Sequence, residues 1–261
     1  MKFSPRWFCK DSLPQPGQQN PQILILCDGD SSFSHCVLNA NLHISLISTS
    51  PYSLQQRLAL YGAHEEIFFA RNDVVLYRDV HPQHLHESRY DRIFDGNLNI
   101  SHIVWNFPHA DHDHDLDKGH HLHRHDDEEG LSQDNDHDTI RLGQCEVLLQ
   151  KLFYAVAIRL HRQQHRFRRR RRRYGDGDGD GDGDGFVSSP LPQLCLTLSN
   201  DQLSRWNVLA MAREHGWFPV MSAPLDEDAF SKFLETNSRF HHLREKRQNP
   251  VVVSFQLHLN E

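Results

Sequence analysis

Residues 23–34 read Ile-Leu-Ile-Leu-Cys-Asp-Gly-Asp-Ser-Ser-Phe-Ser. Four apolar residues in succession are too short a run for a buried helix and suit a strand covered on both faces. The run stops at Asp28-Gly29-Asp30, where Gly29 lets the backbone turn tightly or approach a ligand closely. Ser31 and Ser32 then offer N-caps for a helix through Ala40. A strand, a glycine-acid turn and a helix, in that order, open a βαβ unit.

The same alternation continues outward. Residues 43–48 form a second strand candidate, and a helix over 53–61 can end at Gly62. Residues 74–77 predict a third strand and 103–105 a fourth, closed by Asn106-Phe107-Pro108-His109. Leu142, Cys145, Leu149, Leu152, Val156 and Leu160 recur at spacings of three and four, the buried stripe of a long helix over 139–160. A fifth strand is expected at 194–198, a helix at 204–215 ended by Gly216, a sixth strand at 217–221, and a last one at 251–259, at or near an edge. The expected fold class is therefore α/β, a doubly wound and mostly parallel sheet with helices on both faces.

Composition sets the limits of that fold. The 261 residues carry 28 Lys and Arg against 35 Asp and Glu, a net charge of −7. Most of the acidity sits in residues 109–138, whose nine Asp and two Glu face only Lys118 and Arg124. The balance of the chain is close to neutral, so net charge neither advertises nor excludes a nucleic-acid partner. We read residues 1–21, with four prolines, as a loose leader and 22–261 as one domain. Two low-complexity inserts, expected to be disordered, interrupt it: a His/Asp-rich one at 110–138, and one at 163–187 that joins an Arg run to a Gly-Asp repeat. Cys9, Cys27, Cys36, Cys145 and Cys195 are odd in number and form no CxxC pair, which argues against a disulfide framework, a disulfide-linked partner or a zinc knuckle. No run approaches the ~18 apolar residues of a membrane span. The expectation is a soluble, intracellular, reduced protein with no membrane association.

In doubly wound sheets ligands bind beyond the carboxyl ends of the strands, at the switch in strand order. That rule selects the loops at 27–34, 79–81 and 106–109. An acid placed after a strand can accept hydrogen bonds from a ribose or an amino group. Asn106, in an element stiffened by Pro108, makes a rigid polar platform for a flat base, with Trp105 or Phe107 able to stack on it. His109 has the one side chain whose ordinary pKa lies near neutrality, as a general base requires.

Residues 27–34 resemble the glycine-acid loop, GEGDFSFS, of the ribosomal-RNA uridine-N3-methyltransferase-like family. Ser48-Thr49-Ser50, Asp79-Val80, Trp105-Asn106-Phe107-Pro108-His109 and Trp206-Asn207 resemble further family elements in the same order, over roughly residues 22–221. The resemblance implies a Rossmann-like class I methyltransferase fold, S-adenosylmethionine as cofactor, and methylation of a uridine N3 in large-subunit ribosomal RNA. It implies cofactor contacts at Asp28, Gly29, Asp30, Thr49 and Asp79, and catalytic positions at Asn106, Pro108 and His109, with no metal. Three departures stand out: Cys27 replaces the loop's first Gly, Ser31 replaces an aromatic, and Pro51-Tyr52 stands where an acid follows the second strand.

Other readings remain open at this point. A methyltransferase fold that has lost catalysis could serve as an RNA- or protein-binding module. A metal-handling role through the eight His of residues 109–138 is a third, although alternating His and Asp lack fixed ligand geometry. The Arg run at 166–173 reads equally as an RNA-phosphate contact, a nuclear-import signal or a low-complexity insertion. With the resemblance to rRNA enzymes, it favours nucleus or nucleolus over cytoplasm.

Overall fold

The computed structural model describes residues 2–4, 20–28, 31–40, 44–63, 67, 69–70, 74–95, 100–106, 108, 134–174, 191–231 and 250–258. Seven strands form one sheet: β1 (Gln22–Leu26), β2 (Ser45–Thr49), β3 (Val75–Tyr77), β4 (Ile100–Asn106), β5 (Gln193–Ser199), β6 (Trp217–Pro224) and β7 (Pro250–Leu257). Their order is β3-β2-β1-β4-β5-β7-β6. The first five run parallel, and β7 pairs antiparallel with both β5 and β6. β7 thus lies one place in from the edge, which β6 occupies.

Alternation along each strand sends residues into two apolar layers. Leu24 and Leu26 of β1, Ile103 and Trp105 of β4, and Leu194, Leu196 and Leu198 of β5 all join one layer. Ile23, Ile25, Val104 and Cys195 join the other. Continuous apolar runs are what a sheet covered on both faces demands, and each buried aliphatic side chain is worth about 1.5–3 kcal/mol.

The helices described from end to end are α1 (Ser32–Ala40), α2 (Leu54–Tyr61), α3 (Asp91–Asp95), α4 (Asp134–Tyr174), α5 (Asn200–Arg205) and α6 (Val208–Glu214). Two 3-10 turns, Pro82–His84 and Ser88–Tyr90, lead into α3. α2 is closed by a capping box between Ser53 and Gln56, and by Gly62 at φ 78°. Cys145, Leu149, Leu152, Val156 and Leu160 of α4 are buried as their spacing predicts.

Several features differ from the sequence reading. α4 runs from Asp134 to Tyr174 rather than over 139–160. The single helix expected at 204–215 is two, α5 and α6, broken where Asn207 adopts φ 46°. The leader is not loose throughout, because Phe3 is buried and pairs with Leu225. Its ring stacks on Phe230, which stacks in turn on Phe33 of α1. Finally, neither Ser31 nor Ser32 caps α1. Ser31 stands at φ 60°, outside the extended backbone of an N-cap, and the capping oxygen comes from Asp28 instead.

Polar anchors hold α4 to its neighbours. The indole N–H of Trp217 donates to the Phe153 carbonyl at 3.1 Å. Arg159, only 2% exposed, pairs with Asp91 and lies over the Phe94 ring. The hydrogen bond from Arg159, with a second from Arg166, holds the Asp91 carboxyl below its usual range against the opposing effect of burial.

Candidate active site

The chain winds outward from β1 through β2 to β3, then returns to β4 on the other side of β1. The switch point therefore lies between β1 and β4. Leu26 is in register with Trp105, so Cys27 and Asp28 emerge beside Asn106. Thr49 pairs with Tyr77, which brings the loop after β3 to the same edge. Asp28, Thr49, Asp79, Asn106 and Pro108 are thereby gathered from four strands. Gly29, Asp30, Phe107 and His109 lie outside the described residues, as does the His/Asp-rich stretch up to residue 133.

The loop after β1 is built by side chains turned inward. Asp28 is 5% exposed, and its Oδ2 accepts from the Ser34 N–H at 3.0 Å and from the Ser34 hydroxyl at 2.5 Å. One carboxylate oxygen of Asp28 is therefore engaged at the start of α1, where it meets the positive end of the helix dipole. The Cys27 N–H donates to Thr49 Oγ1 at 3.2 Å, and the Asp28 N–H to the Thr49 carbonyl at 3.1 Å. Thr49 is fully buried. Cys27 at φ 56° and Ser31 at φ 60° bracket the turn, both in the left-handed region that costs roughly 1–2 kcal/mol per ordinary residue.

The loops after β2 and β3 are stitched together. The Val80 N–H donates to the Ser50 carbonyl at 2.9 Å, and the Asp79 N–H to the Tyr52 carbonyl at 3.4 Å. Asp79 itself is exposed and sits at φ 55°, its carbonyl accepting from the Tyr90 hydroxyl at 2.8 Å. The one acid of this loop is thus presented at the edge rather than spent on the fold.

Asn106 has a partner the sequence did not announce. Thr197, 1% exposed and in register with it on β5, donates its hydroxyl to Asn106 Oδ1 at 2.6 Å. With the amide oxygen engaged, the two Nδ2 hydrogens remain as donors at a half-buried strand end. Nothing in the sequence around Thr197 distinguishes it from any other strand residue. Pro108 is buried just beyond. Among the described residues, no group of three or more His, Cys, Asp or Glu could hold a metal ion. On the adjoining strand, burial pushes the Cys195 thiol up to about 12, which makes it a protonated packing group.

The sequence profile of one family, described as rRNA (uridine-N3-)-methyltransferase BTM5-like, matches residues 24–237. The chain belongs to that family. Every site position above falls inside the matched region, so membership and geometry concern the same residues. No curated protein matches the chain. Among solved structures it is similar to an antibiotic-related methyltransferase, at 8% identity over 93% of this chain and 90% of that one, with a TM-score of 0.44. It is also similar to the 16S rRNA methyltransferase KamB, at 9% identity over 93% and 90% of the two chains, TM-score 0.42. A third is TrmN from Thermus thermophilus, at 10% identity over 97% of this chain and 53% of that chain, TM-score 0.42. These likenesses are remote, and the family assignment does not rest on them.

Proposed function

We propose that this protein transfers a methyl group from S-adenosylmethionine to N3 of a uridine in ribosomal RNA. The observation that carries the reading is the gathering of Asp79, Asn106 and Pro108 at the switch point of a sheet whose chain belongs to an rRNA uridine-N3-methyltransferase family. The residues fit the cofactor. Asp79 offers an exposed carboxylate for hydroxyl or amino donors, and the fully buried Ser31 hydroxyl, beside the β1 loop, has no hydrogen-bond partner among the described residues. A buried hydroxyl in that state invites a polar ligand atom. Gly29, Asp30 and Asp79 would hold the cofactor directly. Asp28 and Thr49 would shape the loop that receives it, since both are turned into the fold.

S-adenosylmethionine supplies an electrophilic methyl carbon on a sulfonium. The chain must supply position and proton removal, because uridine N3 becomes a nucleophile as it loses its proton. Asn106 Nδ2 would donate to a base carbonyl next to N3, Pro108 would stiffen the wall of the pocket, and His109 would accept the N3 proton, so that N3 can take the methyl carbon as its bond to sulfur breaks and the neutral thioether leaves. The expected setting is the nucleus or nucleolus, where ribosomal RNA is made.

Calorimetry with S-adenosylmethionine and a transfer assay on ribosomal RNA test this together. His109→Ala should slow methyl transfer by about 10²–10⁴ with cofactor affinity nearly unchanged. The wild-type rate should fall as pH drops through the His109 pKa, since the protonated ring accepts nothing. Full rate and an unaltered pH profile in His109→Ala would remove His109 from the mechanism. A second reading is favoured by Cys27 and Tyr52, which stand where the family has Gly and an acid. On that reading the fold binds RNA or protein without catalysis, and no cofactor binding would be detected even at millimolar concentration.

A further inference from the structure

α4 is much longer than the sheet it covers. Its 41 residues span about 60 Å at 1.5 Å per residue, whereas the seven residues of β4 span about 23 Å. Packing accounts for it only as far as Leu160, the last buried residue of the helix among those described. Beyond that point polar contacts with the body continue. Arg162 donates to the His86 carbonyl at 2.6 Å, and Arg166, about half exposed, pairs with Asp91 at 3.2 Å. The same Asp91 carboxylate binds Arg159, so one acid ties two Arg positions, 159 and 166, on one side of the helix to the segment before β4.

The helical backbone then carries on to Tyr174 through Arg168–Arg173, six Arg in succession. At 100° per residue, six consecutive backbone positions encircle the axis, so the sequence leaves no turn of this stretch without an Arg position on every side. Like charges three and four apart, such as Arg166, Arg169 and Arg170, oppose helix formation by a few tenths of a kcal/mol per pair. A helix that keeps its hydrogen bonds through such a run is complementary to a polyanion with closely and regularly spaced charge.

We infer that residues 162–173 form a basic arm that grips the phosphodiester backbone of the RNA substrate, independently of its sequence. This rests on the reading of the protein as an RNA methyltransferase and adds how substrate is held. Phosphate contacts position a nucleic acid without reading its bases. The arm would thus set affinity and orientation, while the Asn106 pocket selects the uridine. Anchoring by Arg162 and Arg166 gives the arm a fixed direction relative to the body, which a free tail would lack.

The test is fluorescence anisotropy with a structured RNA hairpin at increasing KCl, leaving the acidic repeat after residue 175 in place throughout. Replacing Arg168–Arg173 by Gln should weaken binding at least tenfold. Each lost phosphate contact should also flatten the slope of log affinity against log salt by about 0.7–0.9. Replacing the same six by Lys, which keeps the charge, should retain most of the slope. An unchanged slope in the Gln protein would overturn the inference, and so would a Lys protein as weak as the Gln one. Competition by polyglutamate as effective as by RNA would overturn it in favour of an acidic protein partner. Failure of the wild-type protein to bind any RNA would instead refute the RNA-methyltransferase reading itself.

Discussion

The two sides of the sheet put their strands to different purposes. On the β5-β7-β6 side, Trp217, Phe255 and Phe153 are fully buried, the two phenylalanines meet edge to face with centroids 5.4 Å apart, and the indole N–H is satisfied. At the β1-β4 junction the interior is polar: Asp28, Ser31, Thr49 and Thr197 are buried within a few residues of the strand ends. Cys27, Ser31 and Asp79 hold left-handed backbone there, and the Ser31 hydroxyl has no hydrogen-bond partner among the described residues. On the first side aromatic packing dominates; at the junction, three left-handed residues and a buried hydroxyl stand where a ligand would meet them. Such costs of about 1–3 kcal/mol persist only where the surrounding structure over-determines them. The antiparallel half supplies that rigidity.

The contrast can be broken or sharpened by substitution. The largest effect belongs to the packing half. Trp217→Ala should cost about 3–5 kcal/mol, through the cavity and the lost hydrogen bond to Phe153. Denaturant titration measures it, and cofactor affinity of the folded fraction should be unaltered. A loss below 1 kcal/mol would mean that this half does not support the fold as described. At the junction the effect should appear in rate rather than stability. Thr197→Val removes the hydroxyl that orients Asn106 and should lower kcat about tenfold, or roughly 1.4 kcal/mol, whereas Thr197→Ser should restore it. Equal rates in the Val and Ser proteins would remove Thr197 from the positioning of Asn106. The smallest effect is a gain. Cys27→Gly relieves a left-handed φ but frees the unfolded chain, so a net stabilisation of about 0.5–1 kcal/mol is expected by thermal unfolding. Destabilisation would show that the Cys27 side chain contributes more by packing than its backbone costs.

The strands of the parallel half were legible because burial on both faces demands uninterrupted apolar runs, and 23–26 is such a run. The long helix was legible only where it packs, since Leu149, Leu152 and Val156 advertise a buried stripe and the Arg-rich turns beyond Leu160 carry no apolar period. The break between α5 and α6 is not legible in the sequence for a related reason. Asn207 tolerates left-handed backbone without announcing it, and the apolar spacing runs on through it.

Local order along the chain already dictated a doubly wound α/β sheet, the loops at its carboxyl edge, and Asp79 and Asn106 as the polar residues to watch there. These follow from short-range periodicity and from where acids, Asn and Gly interrupt it. Long-range register decided the rest. It set Thr197 against Asn106, 91 positions apart, and closed Asp91 onto Arg159 and Arg166 across 68 and 75 positions. It also turned Asp28 away from the crevice to cap α1 while leaving Asp79 exposed. Two acids that look alike after their strands part ways because only one has a helix N-terminus within reach of its carboxylate, and that distance exists only once the sheet has formed.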